Sequence, residues 1–127
     1  MFYTTGVFGI KSVAYTSRLP VKMYNRNRTF TALSYRICGE CYFYYEGKTV
    51  VSKAGSVTFI PSGIDFIREN SEDEMFVVHL DAYGEELWED DMQDITVLDM
   101  GQSERIYEMF SQLCEEWNKK QQGYKSR

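Results

Sequence analysis

From residue 7 to about residue 82 the apolar residues fall in short runs broken by glycine, proline and small polar residues. Phe30 to Ile37 reads as a strand, Gly39-Glu40 as a two-residue hairpin turn with glycine at its first central position, and Cys41 to Tyr45 as the returning strand. That turn would pair Cys38 with Cys41, Arg36 with Phe43 and Ser34 with Tyr45. Glu46-Gly47 is the next tight turn, followed by Thr49-Val50-Val51, a turn at Ala54-Gly55, and Val57 to Ile60 stopped by Pro61-Ser62-Gly63. Ile64 to Arg68 forms another strand, Asn70 to Asp73 a polar loop, and Met75 to Leu80 a long strand rich in β-formers. Strands at this regular spacing predict a sandwich or barrel. Residues 1–27 are read as an arm and one or two leading strands, around Val7 to Ile10 and Ser12 to Tyr15.

The period changes after Asp81. Gly84 to Asp91 is acidic, with a short helix around Leu87 and Trp88, and Ile95 to Leu98 is a last strand. Ser103 is placed to cap a helix, and Ile106, Met109, Phe110, Leu113, Cys114 and Trp117 recur at the spacing of a single apolar face. Lys119 and Lys120 suit its C-terminal end, and Gly123 is the expected stop. No internal repeat or low-complexity segment is visible.

A chain of 127 residues, 43% apolar and 26% charged, fits one globular domain. No apolar run is long enough to cross a bilayer, and Met1-Phe2-Tyr3-Thr4 lacks the charged start of a signal peptide. The net charge of −5 excludes a free-standing, strongly basic nucleic-acid binder. The charge is uneven. Residues 1–68 hold nine Lys/Arg against three Asp/Glu, whereas residues 69–116 hold one Arg against sixteen acids. The acidic stretch reads as a solvated face.

A single histidine, His79, removes every mechanism that needs two. Three cysteines, an odd number, fit a reducing cytoplasm. Cys38-Gly39-Glu40-Cys41 has the spacing of a zinc knuckle or dithiol pair, but its flanks read as strands rather than as a helix start, so the segment is read as a turn.

Three blocks in order, Tyr35-Arg36-Ile37-Cys38-Gly39 with Gly47-Lys48, Ala54 through Gly63, and Glu74 through Leu80, resemble the N-terminal sensor domain of AraC-type transcriptional regulators, a branch of the cupin superfamily. The helix at 103–120 resembles the family's first helix after the barrel. The resemblance implies a mainly β, cupin-like double-stranded β-helix (jelly-roll) barrel with a C-terminal α-helix. Residues 1–99 would form the sensor barrel and 100–127 the start of the helical dimerisation and linker region. The family's DNA-binding half, two helix-turn-helix units, has no counterpart in these residues, so DNA would be reached only through a domain missing from this chain. Metal-binding cupins place His and Glu around these glycines. Here the alignment sets Ala32 at the Glu position, Phe66 at the later His position, and Asn25 to Arg28 near the earlier ones. None is a usual ligand for a transition metal, so no metal and no cofactor is expected.

The same alignment puts Ala32, Ser34 and Arg36 on the inner face of their strand, with Phe66, Arg68, Met75, Val77 and His79, although Leu33, Tyr35 and Ile37 form the more apolar side. The expected effector is polyhydroxylated or anionic, sugar or sugar-acid-like, held by Arg36, Arg68, Ser34 and His79 with aromatic contacts from Phe43, Tyr45, Phe59 and Phe66. The competing reading pairs the two arginines with Glu69 or Glu72 at the rim. Phe110, Leu113 and Trp117 are the expected dimerisation residues, Trp117 lying a turn beyond the part of the helix that covers the barrel. The expected partners are a small-molecule effector and a second copy of the chain, with no membrane and no enzymatic activity. The alternatives are a metal-free cupin enzyme, such as a sugar epimerase or isomerase using His79 with a tyrosine, and a stand-alone scaffold or storage barrel.

Overall fold

A computed structural model describes residues 7–83 and 94–125. The acidic segment around Leu87 and Trp88, and the helix expected there, lie outside the described residues. In chain order the elements are β1 (Val7–Arg18), β2 (Val21–Asn25), β3 (Thr31–Cys38), β4 (Glu40–Tyr45), β5 (Lys48–Lys53), β6 (Ser56–Ile60), β7 (Phe66–Asn70), β8 (Asp73–Tyr83), β9 (Thr96–Asp99) and the helix α1 (Glu104–Lys125). A five-stranded sheet runs β1-β8-β3-β6-β9 and a four-stranded sheet runs β2-β7-β4-β5, with every pairing antiparallel. The pairs nest: β1 with β8, β2 with β7, β3 with β6, β4 with β5. A long hairpin folded over on itself gives this order, and it is the cupin-like jelly-roll barrel. Among the described residues no helix is long and apolar enough to cross a membrane.

The strand at residues 31–38 is covered on both faces, which explains why its apolar pattern pointed both ways. Ala32, Ser34 and Arg36 face the barrel interior, whereas Leu33, Tyr35 and Ile37 pack outward beneath α1. Ser103 caps that helix, its Oγ accepting from the Ile106 N–H at 3.3 Å. Phe110 stacks on Tyr35 with ring centroids 5.8 Å apart and on Phe76 at 6.3 Å, so the apolar stripe seals the outer face of the larger sheet. The helix runs through Gly123 to Lys125, past its expected stop.

Three expectations need correction. Gly39-Glu40 is not a hairpin turn: the chain steps at Gly39 alone, from the larger sheet to the smaller. β3 pairs with β8 and β6, and β4 with β5 and β7, so Arg36 and Phe43 meet across the barrel instead of along a ladder. Gly39 has φ +80°, and a Cβ there would lie 2.3 Å from the Glu72 carbonyl oxygen, so the step needs glycine. Asn70 to Asp73 is not a polar loop, since Asn70 ends β7, Asp73 begins β8 and both are buried. The leading residues form one strand, as the reading of one or two allowed, with a register shift between Ile10 and Ser12, and β2 is a further strand that the sequence pattern did not place. Trp117 does not project beyond the barrel; it packs on the cluster of Tyr35, Phe76 and Cys114.

The turn at Glu46-Gly47 is as expected. Tyr45 pairs with Lys48, and both central residues have positive φ, 49° and 73°, which defines a type I′ hairpin.

Candidate functional site

Between the two sheets lies a cavity of about 240 Å³, roughly the space of eight waters. Side-chain alternation builds it: β3 contributes Ala32, Ser34 and Arg36, β7 contributes Phe66 and Arg68, and β8 contributes Met75, Val77 and His79. Phe43 and Ile60 complete the apolar wall, and Arg18, Asn25, Arg28 and Phe30 close the remaining sides.

Four guanidiniums therefore line one small space, and among the described residues no carboxylate does. Asp73 lies just behind them. Its side chain is wholly buried and holds two of the four. Arg18 grips it side-on, with Nε donating to Oδ1 at 2.9 Å and Nη2 to Oδ2 at 2.5 Å. Arg36 donates to the same Oδ2 from Nη1, and its Nε donates to Ser52 Oγ at 3.1 Å, which in turn bonds Thr58 Oγ1 at 2.8 Å. Burial works against the charge of both arginines. For Arg18 burial is the largest single effect, but the bond to Asp73 and its charge together outweigh it and the pKa rises, whereas for Arg36 burial dominates and it falls. Both guanidiniums stay charged.

The other two arginines have no carboxylate partner among the described residues. Arg28 lies over the rings of Phe30 and Phe66 and donates to the Pro61 carbonyl oxygen at 3.1 Å. Arg68 is half-buried. Its Nη2 reaches only the Met23 thioether, at 3.7 Å, and its buried Nε has no hydrogen-bond partner. Burial, with Arg18 nearby, pushes its pKa down.

His79 sits at another side of the cavity, its Nδ1 3.1 Å from Ser12 Oγ and its ring against Phe30 at 4.4 Å. Burial lowers its pKa first, and Arg28 and Lys11 lower it further, which favours the neutral imidazole.

Of the residues singled out from the sequence, Ser34, Arg36, Phe43, Phe66, Arg68 and His79 are brought together here. Two are not. Phe59 alternates with the inward-facing Thr58 and Ile60 and lies opposite Leu33, on the outer side of its sheet. Tyr45 points into the barrel core, but outside the cavity lining, and its hydroxyl donates to Asp94 at 3.3 Å. The ion partner of Arg36 is Asp73, not Glu69 or Glu72; Glu69 instead accepts from the Tyr44 hydroxyl. Asp73, Arg18, Arg28 and Phe30 were missed as site residues. Strand parity was the available signal for Asp73, since 73, 75, 77 and 79 share one face.

The two CxxC thiols serve different surroundings. Cys38 donates to Glu74 at 3.2 Å, whereas Cys41 is wholly buried in the barrel core, where burial pushes its thiol pKa up. Both are free.

With this geometry in place, comparison with known proteins is informative. The family model for the AraC-like ligand binding domain matches residues 12–126, and the chain belongs to that family. No curated protein matches the sequence. Among solved structures, the EutQ protein of Clostridium difficile aligns at 17% identity with a TM-score of 0.44, over 62% of this chain and 64% of that one. The chain thus spans a little under two thirds of EutQ's length.

Proposed function

We propose that this domain is the effector-sensing and dimerisation module of a bacterial AraC-type transcriptional regulator, acting in the cytoplasm. It takes a small polar molecule of the sugar or sugar-acid class in a metal-free barrel, and it acts on DNA through a helix-turn-helix domain that these residues do not include. One observation carries this reading: beside its apolar cluster the barrel interior keeps a cavity of about 240 Å³ lined by convergent polar and charged groups. Small-molecule sites have that make-up, apolar walls with a few placed polar groups.

The donor set also speaks against a cupin metal centre. Among the described residues the lining offers one imidazole, His79, and no carboxylate or thiol, with Ala32 and Phe66 where ligands would be needed. The enzyme alternative needs a tyrosine acid beside the His79 base, and among the described residues no tyrosine lines the cavity. For dimerisation, α1 presents Met109, 61% exposed, and Leu113, 36% exposed, beside the apolar groove formed with Ile10, Leu33 and Leu80.

A thermal-shift screen of sugars, sugar acids and small carboxylates tests the reading, because a ligand of the native state raises its stability. Saturable stabilisation by one compound, reduced in Ser34→Val or Phe66→Ala, is expected. Turnover of that compound by the domain would overturn the sensor reading in favour of the enzyme.

A further inference from the structure

Arg18 and Arg68 offer the same chemistry in opposite states. Arg18 uses its Nε and Nη2, the flat edge of the guanidinium, to grip both oxygens of Asp73. Such side-on, two-point contacts are the preferred geometry between a guanidinium and a carboxylate. Arg68 lines the cavity with that same edge uncommitted: its Nε is buried without a partner, and its Nη2 touches only the sulfur of Met23. Among the described residues one other buried side-chain polar atom lacks a partner, Asn70 Oδ1, and Asn70 does not line the cavity.

A buried N–H left without an acceptor is costly, and a thioether is a weak substitute. Met23 belongs to an edge strand and is 46% exposed, so its sulfur is free to yield to a better acceptor. The charge count agrees. Among the described residues Arg18, Arg36 and Arg68 surround a single carboxylate, Asp73, and the Ser52–Thr58 hydroxyl pair and the neutral Cys41 thiol add no negative charge. The cluster is two charges short of neutrality.

Resting on the sensor reading above, we infer that the effector is a small carboxylate and that the Nε/Nη2 edge of Arg68 is what binds its carboxyl group, displacing Met23. Arg18 and Arg36 are held by Asp73 and act as a fixed positive floor. Phe43 and Phe66, in edge-to-face contact at 5.5 Å, supply the apolar wall against which the rest of the molecule lies.

Arginine Nε–H NMR signals of the 127-residue chain test this without knowledge of the natural effector, with acetate as the minimal carboxylate and ionic strength held constant with chloride. Acetate is expected to shift the Arg68 Nε–H signal saturably. Sodium galacturonate shifts the same signal at lower concentration, and Arg68→Lys, which keeps the charge but loses the planar edge, weakens both by ~10–100-fold, read in that variant from the backbone amide signals of Phe43 and Phe66. An Arg68 signal unmoved by acetate overturns the inference. So does a response to inorganic phosphate but not to acetate, which would assign the edge to phosphate esters. If D-galactose binds saturably while acetate does not, the carboxylate inference falls and the sensor reading stands. Galacturonate binding at full strength to Arg68→Lys would move the acid-binding role to Arg28.

Discussion

Arg36 and Asp73 form an ion pair in which the two side chains are 2% and 0% exposed. A pair this deep is tolerated only when each remaining polar atom is also satisfied, and here Arg18, Ser52 and Thr58 complete the network. Asp73→Asn leaves two guanidiniums without their counter-charge, and the expected cost is about 3–5 kcal/mol. Arg36→Met is expected to cost clearly less, since Asp73 keeps its two-point contact with Arg18. Urea unfolding of both variants gives the order, and equal losses would contradict the network drawn above.

Gly39 and Gly47 separate two causes of glycine dependence. Both have positive φ, but a Cβ on Gly39 meets the Glu72 carbonyl at 2.3 Å and the Asp73 Cβ at 2.6 Å, whereas one on Gly47 meets nothing within 4 Å. Gly47→Ala should therefore cost only the left-handed backbone, about 1–2 kcal/mol. Gly39→Ala adds a collision with the start of β8, for a total of roughly 2–5 kcal/mol. Chemical denaturation of the pair measures the difference.

His79 ties stability to pH. Its pKa is lowered in the folded state by burial, then by Arg28 and Lys11, so the unfolded chain binds the proton more tightly. The stability from a neutral His79 is fully present above the unfolded value of about 6.5. It is lost as the pH falls through the lower folded value. Melting temperatures recorded between about pH 5 and 7.5 should fall on the acid side in the parent domain, and His79→Gln should flatten that slope.

Self-association should depend on Leu113 and Met109 more than on Trp117, because Trp117 packs on the domain's own cluster while the other two are exposed. Sedimentation equilibrium is expected to show a dimer of the 14.9 kDa chain. Leu113→Asp should weaken it by at least ~10-fold with little loss of fold, as for an interface anchor, whereas Trp117→Ala should chiefly lower thermal stability. A dimer indifferent to Leu113→Asp would move the interface off the helix.

The elements were largely legible where local chemistry decides them. The Glu46-Gly47 hairpin needs two positive φ values, and Ser103 needs only the helix it caps. Gly39 was read as a hairpin for the same local reason, yet non-local pairing of β3 with β8 claims that strand and turns the glycine into a step between sheets. Short-range pattern carries no information about which of two sheets a strand joins. In the site, parity and the family resemblance brought Ser34, Arg36, Arg68 and His79 to one face. The ion partner went unseen because Asp73 sits in a run of polar residues, Ser71-Glu72-Asp73-Glu74, of which it alone is buried.

The nested strand order also sets a timetable for folding. The innermost pair, β4 with β5, closes across two residues, whereas Arg18 meets Asp73 across a separation of 55 positions. During synthesis at about 5–20 residues per second, β1 emerges seconds before the strand that receives it. Contacts of such long range place the barrel among domains that fold in milliseconds to seconds. The Arg18–Asp73–Arg36 network belongs to the last stage of that process, because it joins the first strand to the eighth. Mutations there should accelerate unfolding far more than they slow folding, so the group that shapes the floor of the cavity also sets how long the finished barrel stays closed.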